Sequence, residues 1–457
     1  MEQEVFLVED GSRTALFAPL HGLILEVNEK EKRAVAGLIE RPEFAFTDLI
    51  SVFPELEPER LLDPSAVSSG ETTEEFAPTG VSLFTTFDCH LRCVYCYANA
   101  GLQKVSMGTV IADAAIDFIV ANAVRKGSGE CSLEFHGGGE PTRNWSLFQH
   151  ALERFRRETK ANNLTPKLGL ATNGMLSSAQ IEWITERFAS VQVSLDGMEE
   201  IQNAQRPTAA QSGSFATVFN TVQALYARNI DLVLHVVVTE RGVDRMPEIV
   251  RFFGEHFPKV TVHMEPASPC GRGLATGEQF PSPQRFVEGF LEGRKIAAAA
   301  GITLIYSGAG PQLAARNRSF CGVANPNFTV TPAGLVTACH EVAESVNPLA
   351  GCFIYGHFDQ ARGTFLFNEE KIARLRRFSR ELDPVCSACF ARFYCAGECV
   401  VKRMDSEGIF HSPHTNPRCA INRDLMRRYL FDQLFDGRKE ECDEEECTED
   451  RLSQRPS

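Results

Sequence analysis

Between residues 81 and 306 the chain alternates strand, loop and helix six times, and this alternation limits the fold more than any other feature of the sequence. Short apolar runs rich in β-branched residues recur at 81–86, 132–136, 167–171, 191–195, 232–238 and 260–265. Apolar residues at helical spacing fill the gaps at 110–124, 147–159, 179–188, 215–227 and 246–253. Successive βα units joined by right-handed crossovers build a parallel sheet, open or closed, with the loops after the strand C-termini gathered on one rim. The expectation is an α/β fold with any ligand site on that rim.

The rest of the chain leaves this rhythm. Residues 1–53 carry three short apolar runs, at Val5 and Leu7, at Ala15 and Phe17, and at Leu23-Ile24-Leu25. Asn28 then caps a helix with Ala34, Val35, Leu38 and Ile39 on one face, and a second helix is expected from Asp48. Residues 54–80 are rich in Pro, Glu, Ser and Thr and read as a linker. Residues 321–425 are cysteine-rich with few long periodic segments, so a metal scaffold is expected there in place of a hydrophobic core. The boundaries expected are 1–75, 76–310, 311–436 and an acidic, disordered tail at 437–457. The balance of 46 basic against 60 acidic residues, net −14, argues against nucleic acid or an anionic membrane as partner. No apolar run nears the roughly 18 residues of a membrane helix. The first ten residues are acidic where a signal peptide is basic, and a cytoplasmic location is expected.

Fifteen cysteines, an odd number, suit a disulfide framework poorly and metal well, because most fall in tight groups. Cys89, Cys93 and Cys96 form a C-x3-C-x2-C loop just after the first strand of the βα region. Three thiolates can hold three irons of a [4Fe–4S] cube and leave the fourth iron open to a chelating substrate. A zinc site completed by His90 also suits this spacing. The next strand ends bring Gly137-Gly138-Gly139-Glu140-Pro141, Thr172-Asn173-Gly174 and Asp196-Gly197 to the same rim. Bare glycine backbone admits close approach of a ligand, and a glutamate accepts from an ammonium group.

CHLRCVYC, GGEP, ATNG and SLDG, in this order and at this spacing over roughly 81–310, resemble the radical S-adenosylmethionine (SAM) superfamily. The resemblance implies a partial (β/α)6 barrel in which Cys89, Cys93 and Cys96 hold a [4Fe–4S] cluster whose open iron chelates the amine and carboxylate of SAM. It implies that Gly138, Gly139 and Glu140 bind the methionine amine and that Asn173 belongs to the same cofactor site. Ser194 and Arg206 would approach the carboxylate or ribose, and Tyr95 and the strand end at Glu265 would line the adenine. One electron from the cluster splits the sulfonium C–S bond and releases a 5′-deoxyadenosyl radical; the protein fixes geometry and excludes water. The segment after SLDG, MEEIQNAQRPT, departs from the His-Asp pair common in relatives, which bears on Arg206.

A second set comprises Cys321, Gly334 and Cys339, then Cys386, Cys389, Cys395, Cys399 and Cys419. Zinc ribbons share the C-x2-C spacing, and Gly334 suits a hairpin turn between 328–330 and 335–337. In register, the seven cysteines and the glycine resemble the SPASM domain, the Fe–S auxiliary-cluster extension of radical SAM peptide-modifying enzymes. That resemblance implies two more [4Fe–4S] clusters, three in all. Cys321, Cys339 and Cys399 would serve the nearer, with Cys352, Cys270 or a substrate thiol as its fourth ligand. Cys386, Cys389, Cys395 and Cys419 would serve the farther.

Three short strands followed by helices are similar to the leader-peptide recognition domains of ribosomally made peptide pathways, which add a peptide as an extra strand. A purely structural extension has the same element order. Together the resemblances imply a peptide maturase: an oxidoreductase fed by a flavodoxin- or ferredoxin-type donor that attacks a precursor peptide. Residues 336–342 and 353–356 resemble maturases that form thioethers. An anaerobic sulfatase-maturating enzyme, which generates formylglycine, is the alternative. Such enzymes carry an aspartate base directly after the second cysteine of the first auxiliary pair, where this chain has His340 and then Glu341. A third reading is an Fe–S redox-sensing binding protein, for which the glycine and acidic elements at the later strand ends have no use.

Overall fold

A computed structural model describes residues 4–57, 75–312, 316–317, 319–324, 327–377, 384–405, 407–412 and 415–443. At the N-terminus β1 (Phe6–Asp10), β2 (Arg13–Ala18) and β3 (Leu23–Val27) form an antiparallel sheet in that order. Val5, Leu16, Ala18, Leu23 and Val27 on one face pack with Val35 and Leu38 of the helix Glu29–Ile39. Phe6, Val8, Ala15 and Phe17 on the other join the main core, which includes Ile421 and Leu425 of the C-terminal helix Pro417–Asp443. The first helix begins in a capping box: Asn28 Oδ1 accepts from Lys30 and Glu31 N–H, and Glu31 Oε2 accepts from Asn28 N–H. The second helix expected from Asp48 is a 3₁₀ segment, Phe46–Ser51, because Pro54 leaves no length for an α-helix.

The six expected strands are all present as β4 (Gly80–Leu83), β5 (Glu130–Phe135), β6 (Thr165–Thr172), β7 (Ser190–Ser194), β8 (Asp231–Val238) and β9 (Thr261–Pro266). They pair in parallel in sequence order, and a short seventh strand, β10 (Thr303–Ile305), adds to β9. Helices cover the crossovers, among them Thr109–Lys126, Trp145–Ala161 and Met246–His256. The sheet is a partial barrel, and its strand C-termini share one rim.

On its other side the same sheet continues through β11 (Thr329–Val330), β12 (Leu335–Thr337), β13 (Ile354–Asp359) and β14 (Thr364–Phe367). β11 runs parallel to β4, and β11–β14 form an antiparallel meander with Gly334 (φ +78°) in the β11–β12 turn. Ser82 N–H donates to Phe328 O and Phe84 N–H to Val330 O, both at 3.0 Å, so the segment is stitched to the βα sheet by backbone. Phe328, Tyr355, Phe365 and Phe367 pack with Phe76 and Phe118 from the βα side. The first half of the cysteine-rich region therefore has an apolar core as well as cysteines, which corrects the expectation of a metal scaffold alone. The aromatic spacing there follows neither period cleanly, which is why the core was not legible in the sequence.

Among the described residues no helix is long and apolar enough to cross a membrane. The C-terminal helix runs to Asp443, past the expected start of the tail at 437, and residues 444–457 of that tail lie outside the described residues. Most of the expected linker, residues 58–74, lies outside them too.

Candidate active site

After β4 the chain enters the three-cysteine loop, and two arginines hold the loop by its carbonyls. Arg92 donates to Cys89 O (2.9 Å) and Gly101 O (3.0 Å). Arg272, from beyond β9, donates to Cys93 O (3.0 Å) and Ala100 O (2.7 Å), and its backbone N–H to Cys96 O (2.8 Å). Cys89 Sγ accepts from Leu91 N–H and Asn173 Nδ2, both at 3.4 Å. Burial pushes the Cys89 thiol up to about 11 and the Cys93 thiol up to about 12, and Cys96 adds to both. Buried thiols this close together become thiolates beside a strong positive charge, which a metal centre supplies. His90 has Arg143 and Asp88 as its charged neighbours.

The loop and the strand ends enclose a cavity of about 380 Å³. It is lined by Cys89, Cys93, Cys96, Tyr95, Gly138, Gly139, Glu140, Asn173, Ser194, Arg206 and Glu265, all the residues singled out for this site from the sequence. Glu140 is 1% exposed and ties β5 to β6. Its Oε1 accepts from Thr142 Oγ1 (2.8 Å), Thr142 N–H (3.2 Å) and Thr172 Oγ1 (2.8 Å), and its Oε2 from Asn173 N–H (2.7 Å). Burial raises its pKa against these donors. Beside it, a Cβ on Gly139 would stand 2.3 Å from Asp88 O and 2.6 Å from Thr86 O, backbone atoms that cannot turn away. Gly139→Ala is therefore expected to destabilise the protein by about 1–3 kcal/mol, read as a lower urea midpoint at unchanged slope.

Asp196, read from the sequence only as part of a turn, is the hub of the opposite wall. It is fully buried, and its Oδ2 accepts from Tyr95 Oη (2.5 Å) and Gln205 Nε2 (2.7 Å) while Oδ1 accepts from Val237 N–H (3.0 Å). Arg206 Nε stands 3.0 Å from Oδ2, and its guanidinium lies over the Tyr95 ring at 5.2 Å. Glu265 at the end of β9 accepts from His263 Nε2 (2.8 Å), Ser307 N–H (2.9 Å) and Arg418 Nη1 (2.7 Å). Burial opposes its ionisation, yet Arg418 and His263 hold the carboxyl well below the usual range.

Tyr97, Ser268, Cys270, Glu341 and Lys402 line both this cavity and a second of about 540 Å³, so the two meet at a neck. Lys402 Nζ stands 3.0 Å from Glu341 Oε1. His340 turns away from the neck: its ring is 5.3 Å from Phe84 and 4.3 Å from His136, and burial lowers its pKa to about 3. Glu341 is the neighbour that faces the cavity.

The second cysteine set gathers in two places. Cys321 and Cys399 lie close enough to Cys339 to raise it, after burial and Glu341. Cys386, Cys389, Cys395 and Cys419 line one small cavity. Cys352 lies against Gly408, and Cys270 is at the neck near Cys96. Among the described residues, no group of three or more His, Cys, Asp or Glu is gathered tightly enough for a single metal ion. Cys386 is buried and Cys389, Cys395 and Cys419 are half-buried around that small cavity, an all-thiol donor set that suits an iron–sulfur cluster and zinc alike.

Residues 83–253 match the family described as the Radical SAM superfamily. The chain is 22% identical over 332 residues to the cysteine-type anaerobic sulfatase-maturating enzyme of Clostridium perfringens, covering 68% of this chain and 85% of that protein. It superposes on anSMEcpe with bound AdoMet and Cp18Cys peptide at 18% identity and a TM-score of 0.61, over 79% of this chain and 98% of the other. Streptococcus suis SuiB bound to precursor peptide SuiA matches at 12% identity and a TM-score of 0.50, over 90% and 98%. At these identities the solved structures speak for the fold alone. The chain carries a radical SAM domain at residues 83–253, on the radical SAM α/β fold, and is an enzyme of the radical SAM kind.

Proposed function

We propose that this enzyme cleaves SAM reductively and uses the resulting radical on a ribosomally made precursor peptide, leaving a thioether or another side-chain crosslink. The observation that carries the reading is the neck, where the cavity at the three-cysteine loop opens past Cys270, Glu341 and Lys402 into a space of about 540 Å³. A peptide side chain entering from that space reaches the loop while its backbone stays outside. Among the relatives, SuiB holds a precursor peptide and anSMEcpe holds AdoMet with a peptide.

Cys89, Cys93 and Cys96 would hold a [4Fe–4S] cluster, which would supply one electron to the sulfonium of SAM. The residues around it orient the cosubstrate. Gly138 and Gly139 offer bare backbone and Glu140 an acceptor for the methionine amine, with Asn173 beside it. Ser194 and Arg206 take the carboxylate or ribose, and Tyr95 and Glu265 border the adenine. Cys321, Cys339 and Cys399, and likewise Cys386, Cys389, Cys395 and Cys419, would hold two further clusters, which would take up the electrons released as the peptide is oxidised. A flavodoxin- or ferredoxin-type protein supplies the first electron. In the N-terminal unit, β1 and β3 are the sheet edges to which a leader strand would add.

Protein reconstituted anaerobically and given SAM and a low-potential reductant is expected to release 5′-deoxyadenosine and methionine. A co-expressed short precursor peptide is expected to lose two hydrogens per crosslink by mass spectrometry. Absence of 5′-deoxyadenosine would overturn the reading. Glu341 and the Clostridium relative favour one alternative, sulfatase maturation: an acid faces the cavity close to where those enzymes keep their aspartate. A peptide cysteine converted to an aldehyde residue would establish that alternative instead. The radical SAM domain, an enzyme domain, counts against the sensor reading.

A further inference from the structure

We infer that Arg418 is a positioning residue that couples the farther cysteine set to the wall of the SAM cavity. The inference rests on the reading above for what those two sites hold. Arg418 immediately precedes Cys419 at the start of the C-terminal helix, and its side chain is 4% exposed. Its three kinds of donor go three ways. Nη1 donates to Glu265 Oε2 (2.7 Å), Nε to Glu398 Oε1 (2.5 Å) and Nη2 to Ser307 Oγ (2.9 Å). The guanidinium also lies 5.1 Å over the Tyr306 ring and borders the cavity itself.

Each carboxylate belongs to a different site. Glu265 ends β9, and the residues that follow it, Pro266 to Ser268 and then Cys270, line the cavity. Glu398 sits between Cys395 and Cys399, one from each auxiliary group. Its backbone is left-handed (φ +70°), after Ala396 (+47°) and Gly397 (+81°). A non-glycine residue in this region is strained and persists only where its surroundings hold it. Arg418 Nε and Asn422 Nδ2 (2.6 Å), four residues apart on one helix face, hold the Glu398 carboxylate.

The start of this helix, the loop between the cluster cysteines and the end of β9 therefore move as one piece. Ligation of Cys419 fixes the helix start, the helix start fixes Arg418, and Arg418 fixes the strand end beside the cosubstrate. A lysine keeps the charge but not the planar fork that spans two carboxylates. Coupling between binding sites is reciprocal, so SAM also protects the farther set against loss of iron.

The test uses iron-loaded, full-length protein carrying Arg418→Lys, Cys419→Ser, or both. SAM affinity and hydrogen exchange of the segment 261–270 are read together. Each single variant is expected to weaken SAM binding and speed exchange by about tenfold. The double variant is expected to be no worse than the stronger single, because one linkage is cut twice. Wild-type exchange in Arg418→Lys, or losses that multiply in the double variant, would overturn the inference. Glu398→Gln keeps the shape but turns one of the two acceptor oxygens into an amide NH2, so it removes the charge and one of the two hydrogen bonds; a smaller change in the same direction is expected, and no change would overturn the inference even if Arg418→Lys fails to fold. Exchange requires no SAM, so a wild type that binds none removes the proposed function while this linkage is still decided.

Discussion

Cys93→Ala is expected to abolish 5′-deoxyadenosine release, a fall of at least about a thousandfold, or roughly 4 kcal/mol of barrier, in a protein that remains folded. The two parts of that outcome have separate causes. The loop is held by its main chain, because Cys93 O accepts from Arg272 Nη1 (3.0 Å) and Cys96 N–H (3.2 Å), and an alanine keeps both bonds. The buried thiol itself packs as a small apolar group, so its loss is a modest packing defect. What the variant loses is one of three thiols around the cavity, and two cannot leave a cluster with a single open iron. Iron is expected to fall from about twelve to about eight per chain, since neither auxiliary group uses Cys93. In Cys386→Ala the fall should be of similar size, with the signal of the first site retained. Release of 5′-deoxyadenosine by Cys93→Ala at even a tenth of the wild-type rate would disprove the ligand assignment.

The parts of the molecule that were legible in the sequence are those whose signal is local. β4 to β9 each carry an apolar run of strand length, and the motif residues sit at their ends because ligands meet a parallel sheet at that rim. β10 is three residues long, with Thr303 and Ile305 exposed, and so leaves no pattern. The helix Pro283–Ala300 was obscured by its own packing: Gly289 and Gly293 bring it against Met246 and Val250, and glycines on the buried face erase the apolar stripe. The pairings that hold the walls of the site were hidden for a different reason. Tyr95 and Asp196 are 101 residues apart, Glu265 and Arg418 are 153 apart, and Cys93 and Arg272 are 179 apart. A pair at such separation has no period and no spacing rule. His340 and Glu341 show a third limit, because counting along the chain finds the position after Cys339 but not which of two neighbours in a tight turn points inward. There Val342 N–H donates to Cys339 O (3.1 Å), and the turn buries His340 against Phe84.

Asp196→Ala is expected to lower stability by about 3–5 kcal/mol, the usual effect of leaving one member of a buried ion pair alone, and to remove SAM binding with it. Arg206 is almost as buried as its partner, with side-chain exposures of 7% and 0%. Without the carboxylate the guanidinium loses its ion-pair partner, Tyr95 Oη loses its acceptor and Val237 N–H loses the bond that joins β7's end to β8. Asp196→Asn retains an oxygen for Val237 N–H but not the charge, and an intermediate loss is expected. The decisive variant removes both charges. Asp196→Ala with Arg206→Met should be more stable than Asp196→Ala alone, because no uncompensated ion is left inside the protein. SAM binding should stay lost in that double variant, since the arginine proposed to approach the cosubstrate is gone. Urea midpoints for the wild type, Asp196→Ala, Arg206→Met and their double variant separate the structural share from the binding share. Losses of stability that simply add would show that the aspartate and arginine act independently, and the wall of the cavity would then need a different organising residue.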